Sequence, residues 1–273
     1  MTDRDDIQKY YAGFPEETRL ATGRSQLELE RTKDVLGRVL PPPPGPIVDV
    51  GGAAGVYSLW LASLGYEMHL VDASPRLVEV AKRESARAPK PLASIAVGDA
   101  RRLERPDGSA AAVLVMGPLY HLTDAADRRV ALREATRVVR PGGVVVAAAI
   151  SRYASALDGM ARGLSSDPAF RAIRDRDLVD GQHRNPTGKL DYFTTAYFHR
   201  PDELAGEFES AGLIDVAVLG VESPAWVLGN FEAHWDDPTA RKDLMDLARA
   251  LEREPSIIGV SAHLLGIGRK RDG

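Results

Sequence analysis

The 273-residue chain contains no cysteine. That excludes a disulfide framework, a thiolate metal site and a cysteine nucleophile. Lysine is scarce, with seven residues against 28 arginines, and the net charge is −4. This balance excludes the uniformly basic surface of a general nucleic-acid binder, and no nucleic-acid partner is expected. The basic clusters are limited to Arg101-Arg102 and the tail Arg269–Arg271. Long apolar runs are missing as well. Val144–Ile150 falls far short of the roughly 20 residues that cross a bilayer, so no membrane partner is expected. The start, Met1-Thr2-Asp3-Arg4-Asp5-Asp6, is polar and acidic, unlike a secretory leader, so the expected location is the cytoplasm. The chain has no Gly-x-Ser-x-Gly elbow of a serine hydrolase. Its histidines, at 69, 121, 183, 199, 234 and 263, do not pair at helical metal-binding spacing, and no metal is expected.

What is present is an alternation of strand and helix signals. Pro46–Val50, Glu67–Val71, Ala93–Val97, Ala110–Met116 and Val144–Ile150 read as strands. Between them, a helix near 55–64 ends at Gly65, Ser74-Pro75 opens another, and a long one covers about Asp124–Val139. Strand–helix alternation of this kind means a parallel sheet covered on both faces, with ligands beyond the carboxyl ends of the strands. Upstream, residues 1–24 hold no clear core pattern, and Ser25-Gln26-Leu27-Glu28 has the spacing of a capping box. Residues 151–200 break the rhythm, with an aromatic, strand-like stretch at Leu190–His199. A helix from Pro201, a strand at Ile214–Glu222, a helix over 239–253 and a strand at His263–Gly268 follow.

The sharpest local signal is Val48-Asp49-Val50-Gly51-Gly52-Ala53-Ala54-Gly55, after a strand and before a helix. A dinucleotide fingerprint starting at Gly51 needs glycines where Ala53 and Val56 stand, so a nicotinamide or flavin oxidoreductase is disfavoured. The spacing Asp49-x-Gly51-x-Ala53-x-Gly55 instead resembles the first motif of class I S-adenosylmethionine-dependent methyltransferases, which commonly place glycine where Ala53 stands. Asp72 ends the second strand, 21 residues after Gly51, and Gly98-Asp99-Ala100 follows the third. Met116-Gly117-Pro118-Leu119-Tyr120-His121-Leu122 follows the fourth, and Gly-Pro-Leu-Tyr-His-Leu is similar to a branch acting mostly on small molecules.

The resemblance implies a doubly wound, mostly parallel α/β sheet of seven strands, the last antiparallel, and S-adenosylmethionine as methyl donor. It implies donor contacts from Gly51, Gly52, Gly55, Asp72, Ala73, Asp99, Ala100, Met116 and Gly117. Asp72 would accept from the ribose hydroxyls, and Asp99 from the adenine amino group. Tyr11 and Arg24, or Arg19, are candidates to reach the donor's methionine part. His121 is the candidate base, with Tyr120 beside it at the acceptor. The expected organisation is an N-terminal helical cap (1–44), a donor-binding core (45–150), a lid-like insertion at the acceptor site (151–200) and a completion of the core (201–273).

Methyl transfer is in-line displacement at a carbon already activated by positive sulfur, so the protein mainly holds the acceptor close and aligned. A small-molecule acceptor at oxygen, nitrogen or sulfur is the first expectation. An RNA- or protein-directed methyltransferase and a non-catalytic donor-binding module are the alternatives. The sequence leaves the oligomeric state open.

Overall fold

The structure is a computed structural model and describes residues 3–272, with the side chains of Arg4, Asp5 and Gln8 left out. Met1 and Thr2 of the polar start lie outside the described residues. Two compact units appear, each interleaved along the chain. The first comprises Met1–Val35, Ala149–Leu204 and Val218–Leu265; the second comprises Leu36–Ala148, Ala205–Ala217 and Gly266–Gly273.

The second unit carries the parallel core. Its strands are β1 (Pro46–Val50), β2 (Glu67–Asp72), β3 (Ser94–Val97), β4 (Ala110–Val115) and most of β5 (Val139–Ser151), in the order β3-β2-β1-β4-β5. Each neighbouring pair runs parallel. Every residue of β4 is buried, the mark of a strand covered on both faces. Helix Pro75–Arg87 begins at the Ser74 N-cap, whose hydroxyl accepts from the Leu77 N–H, and it buries Leu77, Val78, Val80 and Ala81. Helix Ala125–Val138 is capped by Asp124 and buries Ala131, Leu132, Ala135 and Val138, one face at helical spacing. Crossovers of this kind send the chain back to the start of the sheet, so the loops after β1 to β4 gather at one edge.

The first unit holds β6 (Gln182–His183) and β7 (Ala196–His199), paired antiparallel, and β7 pairs with Ile150 and Ser151 at the end of β5. The remaining strands are β8 (Leu213–Gly220) and β9 (His263–Lys270); β9 pairs with both β5 and β8. The Val221 N–H donates to the His263 carbonyl, while Gly268 lies against Leu213, so β9 runs antiparallel to its neighbour β8. Buried Leu27, Ala225, Phe231, Trp235 and Leu244 form one apolar cluster of this unit. Arg31, fully buried, is tied to Glu252 at 2.6 Å, to the Val221 carbonyl at 3.2 Å and to Asp34.

Four readings of the sequence need correction. The sheet has nine strands among the described residues, not seven, because the 151–200 stretch contributes β6 and β7. Leu190–His199 is not one strand: Leu190–Tyr192 is a 3-10 turn and Phe193 sits at φ +64°, which breaks the extension before β7. Residues 1–24 do reach the core, through buried Tyr10 in helix Asp3–Gly13 and through buried Leu20. The Glu28 carboxylate is spent on Arg19, at 2.6 and 2.9 Å, rather than on a capping box.

Candidate active site on the strand-end loops

The loop after β1 is shaped by left-handed backbone. Gly51 has φ +75°, and a Cβ there would sit 2.5 Å from Pro118 Cδ, so only glycine lets this loop meet the β4 loop. The Gly51 N–H donates to the Val71 carbonyl at 2.7 Å. A Cβ on Gly52 would collide with Asp49 Oδ2 at 2.8 Å and with the Leu70 side chain. Gly55, at φ +89°, is the N-cap of helix Val56–Ser63.

Ala53, where the resembling family has glycine, also takes a left-handed conformation, at φ +48°. An L-residue there is strained by roughly 1–2 kcal/mol. Glycine removes that strain but loosens the unfolded chain. Ala53→Gly is therefore expected to raise stability by about 0.5–1 kcal/mol, read as a higher urea midpoint at unchanged slope.

Asp72 fastens this loop from β2. Its Oδ2 accepts from the Ala53 N–H and its Oδ1 from the Ser74 N–H, both at 2.8 Å. Burial pushes its carboxyl up, and the two N–H donors partly offset this. Asp49, below the loop, is fully buried. Burial and the nearby Asp72 charge, opposed in part by the Ser58 hydroxyl, push its carboxyl to about 6. Its Oδ2 accepts from Ser58 at 2.6 Å, and its Oδ1 is buried with no hydrogen-bond partner. A buried carboxylate with an unsatisfied oxygen destabilises the fold, an arrangement often kept where it serves a ligand. Asp49 stands inside the quoted motif but was not among the expected site residues; its position at the centre of a buried strand is the signal that could have found it.

Gly98 lies so close to β2 that a Cβ would be 2.6 Å from Val71 Cγ1. Asp99 then turns back on Arg101: Oδ1 accepts from the Arg101 N–H at 2.9 Å and Nε at 3.0 Å, and Oδ2 accepts from Nη2 at 2.6 Å. Ala100 is buried, and Ala73 is exposed. After β4, the Met116 N–H donates to the Val50 carbonyl at 2.8 Å. Gly117, at φ +154°, lies under the Tyr120 hydroxyl, and the Tyr120 and His121 rings meet at 4.7 Å. Gly51, Gly52, Gly55, Asp72, Ala73, Asp99, Ala100, Met116, Gly117, Tyr120 and His121 thus all lie on strand-end segments of the second unit.

Tyr11 and Arg24 belong to the first unit. Tyr11 packs edge-on against Tyr10, and Arg24 donates to the Leu228 carbonyl at 3.3 Å. Arg19 already holds a carboxylate of this chain, Glu28. The same unit has a charged cluster that spacing could not reveal. His263 Nδ1 lies 2.5 Å from Glu222 Oε1 and 3.8 Å from Glu28 Oε2. Burial alone would lower His263, but the two carboxylates overcome it and push it up to about 9. Burial alone would raise Glu28, yet Arg19 and His263 hold it below its ordinary value. The donor atoms of Glu28, Glu222 and His263 lie within 4.8 Å of one another. An imidazolium and the Arg19 guanidinium already balance them.

Residues 48–147 match the family described as "Methyltransferase domain". A ubiquinone biosynthesis O-methyltransferase from Ralstonia nicotianae is 30% identical over 176 residues, 64% of this chain. The match spans 66% of that relative's length, just under two thirds. Among solved structures, an S-adenosylmethionine-dependent methyltransferase from Thermotoga maritima, described as a possible histamine N-methyltransferase, superposes with TM-score 0.58 at 17% identity, covering 97% of this chain and 100% of that one. A Haemonchus contortus phosphoethanolamine N-methyltransferase 2, in complex with S-adenosyl-L-methionine, gives 0.57 at 16% identity, covering 89% of this chain and 53% of that one. Residues 48–147 therefore match a methyltransferase domain, and the chain shares its fold with these solved S-adenosylmethionine-dependent enzymes.

Proposed function

We propose that this chain transfers a methyl group from S-adenosylmethionine to an oxygen of a small molecule. The observation that carries the donor side is the Asp72 carboxylate clamping the glycine loop after β1 at Ala53, with Asp49 buried beneath. Two acids at this loop suit a donor that carries positive charge on sulfur and on its amino group. The oxygen acceptor is supported by the name of the Ralstonia relative.

When bound, S-adenosylmethionine supplies a methyl group already activated by its positive sulfur. Asp72 would receive the ribose hydroxyls on its carboxylate, and Asp99 would face the base. Gly51 lets the β1 loop meet Pro118 of the β4 loop, and Gly117 leaves room for the Tyr120 hydroxyl. Tyr120 would orient the acceptor hydroxyl. Nδ1 of His121 is buried, so we assign Nε2 as the atom that would take the hydroxyl proton as oxygen bonds to the methyl carbon and the carbon–sulfur bond breaks, leaving S-adenosylhomocysteine. The roles given to Tyr11, Arg24 and residues 151–200 rest on the sequence resemblance.

The test is calorimetric titration of the whole chain with S-adenosylmethionine and S-adenosylhomocysteine, beside NADH, followed by a panel of small hydroxyl, amine and thiol acceptors. Micromolar, saturable binding of both sulfur ligands, none of NADH, and methyl transfer confined to hydroxyl compounds is the expected result. Failure of both sulfur ligands to bind would remove the donor assignment. His121→Ala should lower turnover by roughly 10²-fold or more with donor affinity unchanged. Wild-type turnover in that variant would end the base role.

A further inference from the structure

On the donor reading above, we propose that Arg101 is a positioning residue that sets how tightly and how selectively the purine base of the donor is held, acting through Asp99. Three contacts from one side chain and its own backbone converge on the Asp99 carboxylate, at 2.6–3.0 Å. Nε and Nη2 of the guanidinium address the two different oxygens, a fork that fixes the plane of the carboxylate as well as its position. The remaining arm, Nη1, reaches Asp127 Oδ2 at 2.8 Å, in the first turn of helix Ala125–Val138. Arg101 thereby ties the loop after β3 to the helix that follows Tyr120 and His121. A further turn contact, from the Arg102 N–H to the Asp99 carbonyl at 3.0 Å, closes the loop around the same residue.

Stability does not account for this arrangement. The side chains of Arg101 and Asp99 are 38% and 48% exposed, and Arg101 and Asp127 are similarly open. Ion pairs at such exposure contribute little to folding. What the fork does supply is orientation. An untethered aspartate rotates about two side-chain bonds, and a ligand must freeze them; here they are frozen before any ligand arrives. A carboxylate with a fixed plane accepts from a base bearing an amino group at the purine 6-position. It repels a base bearing an oxygen there.

The experiment measures dissociation constants of S-adenosylhomocysteine and S-inosylhomocysteine for the wild type, Arg101→Ala, Arg101→Lys, Asp99→Ala and the double variant. The expected result is that Arg101→Ala weakens S-adenosylhomocysteine about tenfold and narrows its preference over the inosine analogue. Thermal midpoints should stay close to wild type. Arg101→Lys keeps the charge without the fork and should not restore the affinity. In the Asp99→Ala background, removing Arg101 should have no further effect. Additive losses in that cycle, full rescue by lysine, or an unchanged base preference would overturn the inference. If the wild-type chain binds neither ligand, the donor reading itself fails and the inference falls with it; if it binds S-adenosylhomocysteine but Arg101→Ala binds it equally well, only the inference fails.

Discussion

His263→Ala should lower the unfolding free energy at pH 7 by roughly 2–3 kcal/mol, somewhat below the 3–5 kcal/mol typical of breaking a fully buried pair. The loss arises because Glu222, almost wholly buried, and Glu28 lose the imidazolium that lies between them. The Glu222 Oε2 still accepts from the backbone N–H of residue 263, at 2.9 Å, so one contact survives the substitution. The wild-type chain should also show a pH signature. His263 is pushed up to about 9 from an ordinary 6.5, so its stabilisation is complete below pH 6.5 and lost as pH rises through 9. The separation corresponds to about 3 kcal/mol. Glu28 acts in the opposite direction: held low, it contributes above its ordinary 4.5 and is lost as pH falls below that. Urea unfolding between pH 6 and 10 should therefore show a decline above pH 7 that is absent in His263→Ala. A decline of equal size in the variant would assign it to other groups.

Asp72→Ala should weaken S-adenosylhomocysteine by about 10- to 150-fold, or 1.5–3 kcal/mol, the range for losing hydrogen bonds to a charged group. Two effects act together. The acceptor for the ribose is removed, and the N–H groups of Ala53 and Ser74 lose the oxygens that fasten the loop. Asp72→Asn separates them, since it keeps one acceptor oxygen for the loop while discarding the charge. Calorimetry should place Asn between wild type and Ala, with less loss of stability than Ala. Unchanged binding in Asp72→Ala would take Asp72 out of the site.

The parallel core was readable because each of its elements carries a local cause. Ser74-Pro75 is a cap and an N1 proline, and the structure forms that cap. Gly51 and Gly117 sit where the backbone needs positive φ or close approach. Fully apolar β4 announces a strand buried on both faces. The unread parts have non-local causes. β6 is two residues long and exists only because Ala196 and Tyr197 lie opposite it. Tyr10 and Leu20 are buried by contacts formed after folding, with no period in the surrounding sequence to mark them. The Glu28, Glu222 and His263 cluster joins positions separated by 194 and 41 residues, beyond any motif. Arg101 stands beside a recognised aspartate, yet a sequence shows only that the two are near neighbours, not that a fork closes between them.

The interleaving of the two units bears on how this protein is made. Each unit is assembled from three stretches, and β5, β8 and β9 each run across a boundary between them. β9, at His263–Lys270, is the last strand among the described residues and the partner of both β5 and β8. At about 5–20 residues per second, a ribosome needs roughly 6–22 s to go from the end of β5 at Ser151 to the start of β9 at His263. Throughout that interval the nascent chain holds β1 to β5 with the β9-facing edge of β5 still unpaired. The sheet can close only after β9 leaves the exit tunnel. Until then the open edge is a target for other nascent chains.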